Sequence, residues 1–176
     1  MRKLNVISLG LLLAASSAAF ASNEGVVHFH GHVNEPTCSV VSAEQKIELD
    51  TISAAELSTV PIGETTQKGQ KQFNINVNCE ASNLQNNILV TMQGEAAAQQ
   101  PKALSNRTDS NNGVGLEVFY DNQVVKPNDS MSGNRFTNLM NKGTDNLTMT
   151  VRYARLADEV KGGEVDSDVT FVSEYR

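Results

Sequence analysis

The chain contains no tryptophan, so an antibody-type sandwich, whose core is built around one, is excluded in its usual form. It has two cysteines, Cys38 and Cys79, too few for a thiolate metal centre without other ligands. Basic residues are scarce: 14 Lys and Arg stand against 20 Asp and Glu. That balance argues against nucleic acid as a partner, because phosphate binding needs clustered cations. The three histidines are confined to one short segment, and no Gly-x-Ser-x-Gly or phosphate-cradling glycine loop occurs. Neither an enzyme nor a cofactor is expected from such a set. No internal repeat and no linker divides the chain.

What the sequence does hold begins with a targeting signal. Arg2 and Lys3, an apolar stretch around residues 9–13 and Ala19-Phe-Ala21 form the charged, apolar and small-residue sections of a secretory leader, too short to span a bilayer. Cleavage is expected after Ala21, with residues 1–21 as signal peptide and Ser22 as the mature start. No other stretch is long and apolar enough to cross a membrane.

In an oxidising compartment Cys38 and Cys79 are most simply a disulfide. The loop they close, about 40 residues, is worth roughly 4 kcal/mol in the chain-entropy model. Phe73, Ile75, Val77 and Cys79 share one face of a period-two segment whose other face is Asn74, Asn76 and Asn78. Cys38 and Val40 share a phase likewise, so the bridge is expected to pin two strands across the interior, between sheets.

Further strands are predicted at 46–49, 88–92, 114–120, 123–126 and 147–154. A tight hairpin turn is predicted at Asp121-Asn122, a helical turn at 54–57, and loops at 105–113 and 126–134. Many short strands with few helical periods point to an all-β, immunoglobulin-like sandwich.

Two more alternating segments stand at the ends. Residues 27–33, Val-His-Phe-His-Gly-His-Val, place Val27, Phe29, Gly31 and Val33 on one face, and residues 169–175 do the same for Val169, Phe171, Ser173 and Tyr175. The last strand runs to within one residue of Arg176. Each segment reads as half of a pairing.

Together with residues 38–40, Gly113-Val-Gly-Leu116, Val151-Arg-Tyr-Ala154 and Gly163, these stretches resemble the structural subunits of chaperone–usher pili of the type 1 and P-pilus kind. Gly163 as fourteenth residue from the end and Tyr175 as penultimate residue match that family's terminal motif. The resemblance implies an incomplete immunoglobulin-like sandwich lacking its last strand, formed by residues 35–176, with residues 22–34 as an N-terminal donor-strand extension. It implies a groove beside the terminal strand, with Gly163, Val169, Phe171, Tyr175 and the carboxylate of Arg176 meeting a periplasmic chaperone. Val27, Phe29, Gly31 and Val33 would enter the groove of a neighbouring pilus subunit at an outer-membrane usher, by the strand addition known as donor-strand complementation. The implied function is that of a non-enzymatic structural subunit of an adhesive fimbrium on the bacterial surface. The alternative is a minor adaptor or tip-proximal subunit.

His28, His30 and His32 alternate on the face opposite Val27 and Phe29, about 7 Å apart. Imidazoles so spaced are the chain's sole weak candidates for metal ligands, in a monomeric periplasmic metal-binding sandwich. The reading preferred is a solvent-facing polar row and no metal. Glu164, Asp166 and Asp168 are read as a solvated acidic face.

Overall fold

Alternation along one segment sets the centre of the fold. β2 (Lys71–Cys79) buries Ile75, Val77 and Cys79 and leaves Asn74, Asn76 and Asn78 exposed, the period-two pattern of a strand covered on one face. The computed structural model describes residues 38–41, 44–80, 88–132 and 135–175; residues 1–21, expected to be a signal peptide, residues 27–33 with their histidines, and Arg176 lie outside them.

Two antiparallel sheets face each other. The larger has the order β1 (Cys38–Val40), β2, β7 (Thr144–Arg155), β4 (Val114–Tyr120) and β5 (Gln123–Val125). The smaller has the order β6 (Ser130–Ser132), β3 (Ile88–Gly94) and β8 (Val169–Tyr175). Register keeps the apolar faces together: Ile75 stands opposite Leu147, Phe73 opposite Met149, and Val118 opposite Val151. Ile88, Val90 and Met92 of β3 close the core from the other side and are fully buried. Among the described residues neither sheet closes on itself, so they form a sandwich with open edges.

Cys38 and Cys79 are joined by a disulfide, as expected. The expectation of a bridge between sheets is overturned: the two cysteines face each other in the antiparallel register of β1 and β2, within one sheet. Alternation places both side chains inward but does not say which sheet holds each strand. The bridge fixes β1 at the sheet edge, and β1 also packs against β8.

Residues 46–49 do not form a strand. Their alternation is real, with Ile47 and Leu49 half-buried against the core and Lys46 and Glu48 exposed. Yet their flanks are tied only at points, by Gln45 Nε2 donating to the Asn74 carbonyl of β2 (2.8 Å), by Asp50 pairing with Lys71 of β2 (2.6 Å) and by Asp50 N donating to Gly69 O ahead of that strand (3.3 Å). α1 (Ala54–Ser58) follows, started by a capping box in which Ser53 and Glu56 exchange side-chain and backbone hydrogen bonds, and anchored by buried Leu57.

The hairpin turn at Asp121-Asn122 is present, both residues having the positive φ that a two-residue connection of this type requires. The predicted loop at 126–134 contains β6, and α2 (Thr137–Lys142) was not expected at all. α2 ends at Gly143, φ 75°, whose N–H reaches Leu139 O at 2.8 Å. Phe136 and Leu139, both fully buried, close that end of the sandwich.

Candidate strand-accepting groove

β8 is an edge strand: β3 pairs with it on one side, and no strand ladders with it on the other among the described residues. Beside that open edge lies a cavity of about 1060 Å³. Its floor is apolar, made by Phe73 and Ile75 of β2, Leu116 and Val118 of β4, and Val151 and Tyr153 of β7. One wall is the non-strand segment 44–54. The other is formed by residues 160–168 continuing into Val169 and Phe171.

Both walls alternate in the same sense. Ile47 and Leu49 on one side, and Val165, Val169 and Phe171 on the other, turn half-buried side chains toward the core. Lys46 and Glu48 on the first wall, and Glu164, Asp166 and Asp168 on the second, are exposed. Lys46 pairs with Glu48 at 2.9 Å. Its ammonium is held in the charged form, above the ordinary lysine range, first by that hydrogen bond and by attraction to Glu48, then by Glu164 and Asp166 from the opposite rim. The rims therefore lie close enough to interact across the mouth.

Among the described residues no ladder holds 160–168 of the second wall, and side chains together with single backbone bonds do that work. Asn106 is 1% exposed. Its Nδ2 donates to Glu164 O (2.9 Å), while its Oδ1 accepts from Thr108 N (3.1 Å) and Asp166 N (3.0 Å). Arg107 N donates to Asp166 O at 2.8 Å, and its guanidinium pairs with Asp168 and stands 3.9 Å from Asp166. Ser167 Oγ donates to Ser105 O. Lower down, Gly113 receives Leu156 N on its carbonyl (2.9 Å), and Asn112 receives Lys161 N (2.9 Å). Sequence reasoning placed a loop at 105–113 and missed this bracing role; no periodic pattern marks a buried asparagine.

Of the residues predicted for the site, Val169 and Phe171 line the cavity, as does Gly163. Phe171 approaches Phe73 with ring centroids 6.2 Å apart. Ser173, in phase with them, has a buried Oγ without a hydrogen-bond partner. Tyr175 stands opposite Ile88 in the backbone register. Val27, Phe29, Gly31, Val33, His28, His30, His32 and Arg176 fall outside the described residues. Gly162 and Gly163 are glycines that the described fold does not require: a Cβ on either would meet open space, and neither has positive φ.

Comparison with known proteins agrees with this architecture. The chain is 26% identical to the fimbrial subunit type 1 of Salmonella typhimurium over 186 residues, covering 98% of each chain. It superposes on the P pilus rod subunit PapA with a TM-score of 0.60 at 14% identity, over 79% of this chain and 99% of that one. A chain of another chaperone–usher pilus structure gives 0.59 at 16% identity, covering 88% and 97%. At these identities the superpositions speak for the fold: an immunoglobulin-like sandwich with one strand missing. Residues 27–176 match the model of the Fimbrial protein family, and the chain belongs to that family as a fimbrial subunit.

Proposed function

We propose that this subunit polymerises by donor-strand exchange, catalysing no reaction: residues 27–33 of one copy enter the groove beside β8 of the next. The observation that carries this reading is the coincidence of an open strand edge with an apolar trough between two alternating walls. A strand inserted there gains a backbone ladder from β8 and burial from the floor. Val27, Phe29 and Val33 on one face would contribute roughly 5–8 kcal/mol, at about 1.5–3 kcal/mol per buried side chain. Gly31 in the same phase allows close approach of backbone where a side chain would not fit. An edge left uncovered would be an aggregation site, so a periplasmic chaperone is proposed to cover it before assembly, with Val169, Phe171, Tyr175 and the Arg176 carboxylate as its contacts, and an outer-membrane usher to direct the exchange.

A subunit lacking residues 22–33 should accept a strand yet be unable to donate one. Added to wild-type cells, it should cap and shorten the surface fibres; undiminished fibres built from the deleted subunit alone would contradict the reading. Gly31→Leu should block incorporation while leaving the chaperone-bound monomer folded.

A further inference from the structure

We propose that the bare half of the larger sheet's outer face is a self-association surface, on which a second copy of this chain, held in a neighbouring fibre, docks the same face. The inference goes beyond strand exchange and takes from it only that fibres form. Six outward side chains make the centre of this face in three cross-strand pairs: Asn74 opposite Thr148, Asn76 opposite Asn146, and Asn78 opposite Thr144. All six are exposed. Thr148 Oγ1 donates to Asn74 Oδ1 at 2.9 Å, which ties that pair together. Exposed Ser39 extends the face on β1 and exposed Gln72 on β2. Val41 continues the alternation of β1, its N–H on the Asn76 carbonyl at 2.8 Å. At 59% it is the most exposed large hydrophobic among the described residues. Toward the far end of β7 the outer face is covered instead, where Ala97 and Ala103 pack with Ala154 and Leu156.

No charge stands on this patch, in a chain with 14 basic against 20 acidic residues. The charges of β2 and β7 are engaged elsewhere. Lys71 pairs with Asp50 at 2.6 Å, and Asp145 accepts from Asn146 N at 2.8 Å. Arg152 lies 4.4 Å over the Phe119 ring and donates to Gln70, while Arg155 donates to the Ser58 and Val60 carbonyls. Copies of a chain with net charge −6 repel one another, so they approach most readily where neither presents a charge. Amides and hydroxyls both donate and accept, which makes such a face complementary to itself; a charged face is complementary to the opposite sign. That chemistry selects a copy of this chain over a basic or an acidic partner. Two-residue repeats of about 6.7 Å on strands about 4.8 Å apart give the nine positions from Ser39 to Thr148 roughly 300 Å² of flat sheet. A stable pair of proteins buries about 800 Å² on each partner, so free subunits stay apart. A fibre repeats the face once per subunit, and contacts too weak singly add along its length.

The test is low-speed sedimentation of purified fibres at about 150 mM salt, where charges more than about 8 Å apart are largely screened, with contacts scored by negative-stain electron microscopy. Wild-type fibres should pellet as side-by-side bundles. Fibres of Asn78→Asp, Asn146→Asp, which put acids on the face of every copy, should pellet at least about fivefold less at unchanged length, because weak repulsions repeat along the fibre. Thr144→Asp, at an exposed strand end, serves the same comparison if the double variant does not assemble. Fibres of Gln93→Glu, Gln99→Glu, which carry the same added charge at exposed positions off this face, should pellet like the wild type. Mixing the acidic variant with fibres of Asn78→Lys, Asn146→Lys should restore bundles that contain both, the mark of a face that meets itself. Wild-type fibres that stay single, acidic variants that pellet as before, a control that fails equally, or no gain on mixing overturns the inference.

Discussion

Phe73 of β2 and Phe171 of β8 meet across the gap between the two sheets, ring centroids 6.2 Å apart and planes tilted by 54°. They belong to different sheets, both are half-buried, and both line the groove. The contact closes the trough floor at the level where an added strand would cover it. Phe171→Ala should cost about 3 kcal/mol in the complemented state, where the ring is enclosed. Urea unfolding of the subunit saturated with a peptide of residues 22–34 would measure it. A loss below about 0.5 kcal/mol would mean the ring is not covered by the added strand.

Two glycines near the same wall are expected to behave oppositely. Gly113 has φ +75° and its Cβ would lie 2.1 Å from Glu159 O, a backbone atom that cannot swing aside. Gly113→Ala should therefore destabilise by at least about 2 kcal/mol, from strain and collision together. Gly163 has open space around it, so Gly163→Ala should shift stability by no more than about 0.5 kcal/mol. Thermal melts of the two complemented variants decide the contrast. A large loss at Gly163 would show that something packs on it.

Asn106 should govern the groove wall more than the core. Replacing it by Ala removes three hydrogen bonds to the 105–108 turn and the 164–166 backbone and strands buried partners, at about 1–3 kcal/mol for the groups left unpaired. Amide hydrogen exchange should quicken at 164–168 while Ile75, Val90 and Met149 keep their protection. Uniform loss of protection would mean that the wall and the core open as one unit.

Glu117 gives the fold a pH dependence of its own. It is 1% exposed on β4, with Lys102 Nζ 3.5 Å from an Oε1 that has no hydrogen bond. Burial pushes its carboxyl above the ordinary carboxylate range; Lys102 opposes this and Glu64 adds to it. The neutral form is thus the better tolerated one in the folded state. Its contribution to stability is fully present below the unfolded carboxylate pKa and is lost as pH rises through the folded one. Glu117→Gln should raise the urea midpoint at neutral pH, and the gain should vanish near about pH 4. A gain that persists in acid would assign the effect to packing.

The parts of the fold written in the sequence are those where one face is buried over many residues. β2, β7 and β8 fall where alternation puts them, because Phe73 to Cys79 or Leu147 to Val151 leave no second way to face a core. Residues 46–49 alternate for the same reason, facing the groove, but alternation reports burial and not the ladder partner that makes a strand. β6 has three residues and α2 six, too short for a period to show, in stretches rich in Asn, Ser and Gly. The partnership of Cys38 and Cys79 was legible; its place within one sheet was not, since the inward faces of both sheets carry the same pattern. At the site, phase put Val169 and Phe171 on one face of the last strand, and the groove they line was an expectation of the family resemblance. Asn106 was hidden because its role depends on a turn and a wall separated from each other by about sixty residues.

The most direct test of strand exchange between copies is to run surface material from the producing bacterium on a denaturing gel without reductant, boiled and unboiled. A ladder or an immobile band that collapses to monomer only on boiling is the predicted result, since a noncovalent joint with a buried apolar strand resists detergent but not heat. Monomer in both lanes would contradict the account.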